Sequence, residues 1–505
     1  MKNLHLLILK GFFVIIPTFS VSAQEYDSFE KFNRKRQERF DSFREQRRKE
    51  FEEFRRKRNE KFAEYIRGKW ETFTPKPITP KPKDENVPPV VVPKEEPTPV
   101  NPKPKPIPFV EVAPIPDVEP QPEPIDPIEE LPITTIHPTV TFTFFGTTEK
   151  IRFDKKNIIH LTSLNENALA DAWLKLSEES YTNLIHDCLE LRKKYELCDW
   201  AYLMMLQNVA ESVSDKWCNE AVLLMAYIYC QSGYQMRLAI DNQKLHLLVA
   251  SRHHIFGLPY FSIDSTNFYP FLRKGEKINN QIQICSAAFP QEKAMSLLIP
   301  TTQNFAINYK GERTIKSERY PDVAATVRIN QNLMAFYSTY PTSMLDENIM
   351  TRWAMYANTP MAKDVARQLY PQLKPLISGK TQLEAVNILL NWVQTGFVYE
   401  YDDKVWGGDR AFFAEESLYY PYCDCEDRSI LFTRLVRDIL GLKCILVYYP
   451  GHLAAAVNFT ESVNGDYILL NGQKYIISDP TYIGAPVGLT MVNMNNKSAK
   501  VILLE

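Results

Sequence analysis

Three residues suited to covalent catalysis occur in order near the end of this chain: Cys425, His452 and Asp479. A thiol can act as a nucleophile, an imidazole as its base, and a carboxylate can hold the imidazole in one tautomer. His452 is the only histidine after His254, so a cysteine enzyme in this region would have a single choice of base.

The sequence around Cys425 predicts that this residue begins a helix. Asp424 is a favourable N-cap residue, Asp427 lies in the first turn, and Gly441 is a natural stop after an apolar stripe that begins at Leu431. A helix start lowers the pKa of a thiol and supplies backbone donors to an oxyanion. Cys423 lies outside this helix and is the weaker candidate nucleophile. The alternative interpretation is that Cys425 is a small buried core residue.

Strand patterns place the other two residues at strand ends. His452 begins the strand that follows a Pro-Gly turn, and Asp479 ends the second strand of an Asn471-Gly472 hairpin. Taken singly, the histidine could be an ordinary surface residue and Asp-Pro an ordinary turn. The three residues in this order are harder to explain by chance, and we expect a sheet packed on the Cys425 helix to bring them together.

Residues 383–491 resemble the transglutaminase-like superfamily, which has the papain-like cysteine fold. The resemblance rests on Cys425-Glu426-Asp427, on His452, and on Asp479-Pro480-Thr481. It implies an α+β fold in which the helix bearing the cysteine packs on an antiparallel sheet, and a Cys-His-Asp triad that cleaves or transamidates peptide or glutamine amides. Many family members have an aromatic residue soon after the histidine, whereas this chain has Leu453-Ala454. A second oxyanion donor is not evident, and Trp406 and Tyr422 are the candidates.

A second constellation of the same residue types lies upstream, at Cys218, His246 and Asp264. The cysteine-to-histidine gaps are 28 and 27 residues, which suggests a duplication of the fold. Asp264 is followed by Ser-Thr rather than Pro-Thr, and Cys218 lacks the acidic cap. A second active site, a degenerate copy with a binding or structural role, and a coincidence of core residues all remain open; we favour the degenerate copy.

The 505-residue chain is expected to contain several segments. Residues 1–23 resemble a secretory signal peptide, which predicts a secreted or periplasmic protein. Residues 24–73 carry aromatic residues with an eleven-residue period among alternating charges, and they predict either a self-associating or partner-binding coiled-coil helix or a solvated charged helix. Residues 74–138 are rich in proline and predict a disordered, extended linker. A degenerate transglutaminase-like domain at 139–300, a connecting region at 301–378 and a transglutaminase-like domain at 379–505 follow.

Composition restricts the function further. The net charge of −2 gives no reason to expect nucleic-acid binding, and no stretch of the mature chain is apolar enough to span a membrane. The one-residue spacing of Cys423 and Cys425 is too short for a zinc pair, so we predict no metal and no cofactor. The expected activity is that of an exported cysteine acyl-transfer enzyme acting on a protein or peptide, with hydrolysis favoured over transamidation. The alternative is a non-catalytic scaffold whose papain-like modules recognise peptide or cell-envelope components.

Overall fold

The computed structural model describes residues 23–83, 90–91, 104–131, 138–492 and 494–505. The predicted signal peptide lies outside these residues except for Ala23. The chain divides into two compact units, residues 1–55 and residues 56–505. The architecture is mixed α+β, with antiparallel sheets that curl into half-barrels, and the α+β class is therefore confirmed.

Twelve α-helices are present in the described residues. They are α1 Ala23–Gly68, α2 Glu166–Leu176, α3 Thr182–Lys194, α4 Asp199–Val213, α5 Asn219–Gln231, α6 Gln331–Tyr337, α7 Thr351–Asn358, α8 Lys363–Ile377, α9 Gln382–Thr395, α10 Asp402–Val405, α11 Ala414–Tyr419 and α12 Cys425–Leu435. A π-helical turn, Val436–Leu440, continues α12 to Gly441, whose φ of 68° is left-handed. Glycine adopts that conformation without steric cost, which explains the helix end.

The same residues contain twenty strands. They are β1 Trp70–Phe73, β2 Glu111–Ala113, β3 Thr139–Phe144, β4 Thr147–Arg152, β5 Met236–Asp241, β6 Lys244–Ala250, β7 His254–Ile255, β8 Phe261–Ile263, β9 Thr266–Pro270, β10 Ile282–Cys285, β11 Arg313–Lys316, β12 Ala324–Val327, β13 Ser343–Met344, β14 Val398–Tyr399, β15 Tyr422–Cys423, β16 Lys443–Tyr449, β17 His452–Asn458, β18 Tyr467–Leu470, β19 Gln473–Ser478 and β20 Lys500–Leu503.

Two six-stranded sheets dominate the second unit, and five strands of each are arranged alike. The first sheet has the order β1-β10-β5-β6-β9-β8, and the second has β2-β20-β16-β17-β19-β18. The shared order is β10-β5-β6-β9-β8 in the first sheet and β20-β16-β17-β19-β18 in the second, and each sheet has one added strand at its edge. The first two of these strands in chain order are β5 and β6 in one sheet and β16 and β17 in the other. Each pair follows a buried helix, α5 or α12, and forms an antiparallel hairpin. We call the parts of the unit that carry these two sheets its first half and its second half.

The largest hydrophobic cluster contains residues from all three globular segments that the sequence predicts. It includes Trp173 of the first, Phe336 of the second and Leu431 of the third, each of them fully buried. Helix α9 joins this core, and it begins as its sequence indicates. The hydroxyl of Thr381 accepts a hydrogen bond from the backbone N–H of Glu384, whose carboxylate accepts one from the N–H of Thr381. This reciprocal capping fixes the helix start.

The proline-rich segment is not a plain spacer where the structure describes it. Strand β2 pairs in parallel with β20, and Ile107 is 4% exposed. Farther along, Gln121 donates to the carboxylate of Asp199 at 2.8 Å. The carbonyl of Glu123 comes so close to Gly233 that a Cβ there would lie 2.3 Å from the carbonyl oxygen. Residues 104–131 therefore bind to both halves of the unit, unlike the extended linker that we expected; we call this segment the strap.

Helix α1 confirms that the eleven-residue repeat is helical. Within the first unit Phe32, Phe40 and Phe43 are each about 60% accessible, whereas Phe51 is half-buried. Arg48 forms ion pairs with Glu45 and Glu52 at 2.7 Å. Such i,i+3 and i,i+4 pairs stabilise a helix that has little apolar surface to bury. Self-association or partner binding through residues 25–73 stays a prediction.

Candidate active site

The candidate nucleophile lies where the sequence predicts a helix start. Cys425 is the first residue of α12 and is 3% exposed. The carboxylate of Asp427 accepts hydrogen bonds from the backbone N–H of Asp424, at 3.2 Å, and from that of Phe412, at 2.8 Å. These bonds fix the first turn of α12 and tie it to the preceding loop, and the predicted helix start is confirmed.

One face of α12 packs on the strand that carries the histidine. Ser429 lies four residues after Cys425, so both side chains leave the same face of the helix. The Ser429 hydroxyl donates to the carbonyl of Leu453 at 2.9 Å, next to His452 in β17. The face that bears Cys425 is therefore directed at the start of β17.

The structure brings His452 and Asp479 into direct contact. Nε2 of His452 lies 2.8 Å from Oδ2 of Asp479, and both residues are buried. The other carboxylate oxygen, Oδ1, accepts backbone N–H bonds from Thr481 at 2.8 Å and from Tyr482 at 3.2 Å. These two bonds hold the carboxylate in place, so Oδ2 is the oxygen that accepts the imidazole proton. Nδ1 of His452 is buried and has no hydrogen-bond partner among the described residues.

Two residues that the sequence did not single out position this pair. The amide nitrogen of Gln394, at the end of α9, lies 3.0 Å from the Asp479 carbonyl and 2.8 Å from that of Tyr482. Arg428 of α12 donates to the carbonyls of Gln394 and Phe397. Helix α9 therefore connects the cysteine helix to the aspartate loop. A buried glutamine near a helix end carries no sequence signal of that role.

Tyr399 is a further residue that sequence reasoning missed. Strand β14 pairs in parallel with β15, which places Tyr399 opposite Cys423. Its hydroxyl is buried and has no hydrogen-bond partner among the described residues. Burial raises the pKa of the Tyr399 hydroxyl, and the charge of a Cys425 thiolate raises it further.

The two donor candidates from the sequence lie elsewhere. Trp406 packs on Arg410, whose guanidinium carbon is 4.5 Å from the indole centroid, and on Tyr420. Tyr422 is 39% exposed at the edge of the short β14–β15 pair. These contacts do not mark either side chain as the second oxyanion donor.

Carboxylates crowd the start of α12. Burial, together with the charges of Asp424 and Asp409, raises the pKa of Asp402 to about 9. Burial also raises the pKa of Asp427 well above its ordinary value, and Asp424 and Asp402 add to that effect. Asp402 therefore carries a proton at neutral pH, which limits the negative charge beside Cys425.

Some of these side chains have the donor types and spacing for a cation. The ligand atoms of Asp424, Cys425 and Glu426 lie within 4.8 Å of one another, as do those of Asp402, Asp409 and Glu426. The spacing of Cys423 and Cys425, from which the sequence predicts no metal, does not bear on these carboxylates.

Comparison with models of known protein families, with curated proteins and with solved structures finds no match to this chain. The resemblance to the transglutaminase-like superfamily therefore rests on the motif residues. Within the residues that the structure describes, no helix combines the length and apolar character needed to cross a membrane. All eight cysteines are described, and none forms a disulfide.

The upstream constellation is only partly assembled. Cys218 is the N-cap residue of α5, and it lines a cavity of about 380 Å³ together with His246. Asp264 is exposed at the β8–β9 turn, where its φ is 47°, and it is not among the residues that line the cavity. The structure thus places Cys218 and His246 at one cavity and Asp264 at a hairpin tip.

Proposed function

We propose that this chain is an exported cysteine acyl-transfer enzyme of transglutaminase-like type, with Cys425 as nucleophile, His452 as base and Asp479 as its orienter. The observation that carries the proposal is the buried 2.8 Å bond between Nε2 of His452 and Oδ2 of Asp479. In that bond the protonated Nε2 of His452 donates to the Asp479 carboxylate. Nδ1 is then the free basic nitrogen, and it lies at the strand start toward which the Cys425 face of α12 is directed.

The first half-reaction uses these groups in sequence. Nδ1 accepts the Cys425 proton, and the thiolate attacks the carbonyl carbon of a peptide bond or glutamine carboxamide. The tetrahedral oxyanion receives hydrogen bonds from backbone N–H groups at the start of α12 and from the Tyr399 hydroxyl. The imidazolium returns its proton to the leaving amine, which leaves a thioester on Cys425.

The second half-reaction releases the acyl group. Nδ1 takes a proton from the acceptor, whose oxygen or nitrogen attacks the thioester, and Cys425 leaves as the thiol after reprotonation. Water gives hydrolysis and a primary amine gives transamidation. We favour hydrolysis, because water is the abundant acceptor outside the cell.

We further infer that the first half of the unit is a degenerate copy of the papain-like core. The identical order of five strands supports this. An offset of 206 residues pairs Asn219, the first residue of α5, with Cys425, and it also pairs His246 with His452. The Asp264-Ser265 turn then corresponds to the Asn471-Gly472 turn, since both pairs have positive φ. Phe271 directly follows β9, where Asp479 directly follows β19, and an asparagine stands at the nucleophile position.

Selective alkylation tests the proposed nucleophile. We expect iodoacetamide to modify Cys425 of the native protein, and Cys425→Ala to abolish both that labelling and turnover of unfolded protein substrates. Cys423→Ala is the matched control, because burial raises the pKa of the Cys423 thiol and makes it unreactive. If reduced native protein is not labelled at Cys425, the enzyme proposal fails and the scaffold alternative is favoured.

A further inference from the structure

A cavity of about 380 Å³ lies in the first half of the unit, away from Cys425. Its walls come from the start of α5, the start of β6 and the chain after β9. The residues that the argument uses are Trp217, Glu220, Lys244, His246, Phe271 and Glu276. The volume lies within the range of small-molecule sites.

One wall of this cavity is held in place by Asn219. Its side-chain oxygen accepts the N–H of Leu245 at 2.9 Å, and its side-chain nitrogen donates to the carbonyl of Gln243 at 3.1 Å. Both polar ends of the asparagine are thereby bonded to the β5–β6 hairpin. The helix start and the strand that carries His246 therefore form one preorganised wall, which reduces the entropy lost on binding.

His246 gives the cavity an unsatisfied polar group. The residue is 4% exposed, it lines the cavity, and its Nε2 has no hydrogen-bond partner among the described residues. Burial lowers the pKa of His246, so the ring is neutral at pH 7. A buried nitrogen without a partner costs free energy, and a polar ligand would recover it.

Charges of both signs border the cavity. Lys244 is exposed at the first position of β6, beside the start of the thirteen-residue helix α5. Its ammonium group favours the carboxylate of a ligand, whereas the α5 start already faces the carboxylate of Glu220, which also accepts the N–H of Leu161 at 3.2 Å. Glu220 and Glu276 supply negative charge to the same cavity. The carboxylate of Glu276 accepts a hydrogen bond from the backbone N–H of Arg273 at 2.9 Å, which fixes its position.

The remaining walls are aromatic. The rings of Trp217 and Phe271 lie with centroids 6.4 Å apart, and the Arg273 guanidinium packs on the indole at 5.7 Å. Such surfaces accept an apolar side chain and tolerate a cation near the ring face.

We propose that this cavity binds a zwitterionic free amino acid or short peptide, with its carboxylate at Lys244, its ammonium at Glu220 and Glu276, and its side chain against Trp217 and Phe271. The site is separate from the proposed chemistry at Cys425. It gives the degenerate half a binding role in place of a catalytic one.

Isothermal titration of the full chain with L-alanyl-L-phenylalanine tests the proposal. We expect saturable binding, and about ten- to hundredfold weaker binding when the dipeptide is N-acetylated or C-amidated, because each block removes one charge-assisted interaction. Lys244→Ala should weaken binding of the free dipeptide by a similar factor and leave binding of the C-amidated form unchanged. Glu276→Gln should weaken binding of the free dipeptide and leave binding of the N-acetylated form unchanged.

Two controls keep the result decisive. Lys443→Ala removes an exposed strand lysine from the other sheet and should not alter binding, and Cys425→Ala should bind as the unmodified chain does. The assignment would be overturned if the dipeptide did not bind, or if Lys244→Ala bound it as tightly as the unmodified chain does. It would also be overturned if a blocked dipeptide bound as tightly as the free one. Loss of binding in Cys425→Ala would also overturn it, since the dipeptide would then occupy the other site.

Discussion

Replacing Asp479 by asparagine should reverse the tautomer of His452 with almost no change in shape. Oδ1 of Asp479 accepts two backbone N–H bonds, so the asparagine must place its carbonyl oxygen there. Its NH₂ group then occupies the position of Oδ2, 2.8 Å from Nε2 of His452. An NH₂ group donates, so Nε2 must accept, and the ring proton moves to Nδ1.

The magnitude follows from that reversal. An imidazole protonated at Nδ1 cannot accept the Cys425 proton, and the charge-assisted bond to the carboxylate, about 1.5–3 kcal/mol, is lost as well. The wrong tautomer costs about 10⁴-fold in serine–histidine–aspartate enzymes, or roughly 5.5 kcal/mol. We expect Asp479→Asn to lower turnover by about 10³–10⁴-fold.

Alkylation gives an assay that needs no substrate. An ordinary thiol is only about 0.3% thiolate at pH 6, whereas a thiolate–imidazolium pair is largely ionised. The rate of iodoacetamide modification of Cys425 at pH 6 should fall at least about tenfold in Asp479→Asn. Asp466→Asn, in the loop before β18, is the matched control. An unchanged rate and turnover in Asp479→Asn, with the fold intact by circular dichroism, would refute the assigned roles.

Three further predictions concern the neighbours of the triad. Tyr399→Phe should lower kcat by about 10²-fold, the usual cost of one oxyanion donor, without slowing Cys425 alkylation, and Tyr467→Phe, in β18, is its control; equal kcat values would remove Tyr399 from the site. Gln394→Ala should lower kcat with little change in KM and shift the pH profile of alkylation, because the loop that holds Asp479 loses its hydrogen bonds to α9; a change in thermal stability alone would contradict a positioning role. Asp402→Asn should remove a pH dependence of stability, because the pKa of Asp402 in the folded protein is raised to about 9. The stability that Asp402 contributes is fully present below about pH 4 and is lost as the pH rises toward 9, at up to about 1.4 kcal/mol per pH unit. Urea unfolding at pH 5, 7 and 9 should show a flatter profile for Asp402→Asn than for the exposed control Asp403→Asn, and parallel profiles would contradict it.

The sequence predicted the local elements of the site well because each depends on nearby residues. Asp424, Asp427 and Gly441 set the two ends of the cysteine helix, and the Pro-Gly and Asn-Gly turns set the hairpins that carry His452 and Asp479. The positioning of Asp479 by Gln394 was not predictable, because the two residues are 85 positions apart and meet only through tertiary packing.

The upstream constellation shows the limit of matching residue types. Counting from cysteine to histidine paired Cys218 with Cys425, whereas helix position pairs Asn219 with Cys425. A one-residue difference is invisible to spacing arguments but decides which side chain stands at the helix start. Asp264 matched Asp479 in residue type and order, yet its left-handed backbone belongs to a hairpin tip.

The strap has a consequence for how the second unit unfolds. Its β2 end completes the edge of one sheet, and its Gln121 and Glu123 contacts lie on the half that contains the other sheet. Neither half can separate from the other without detaching the strap, so we expect residues 56–505 to melt in a single cooperative transition. Cleavage within the strap would lower the temperature of that transition, and it would expose the edge of β20 to pairing with other chains.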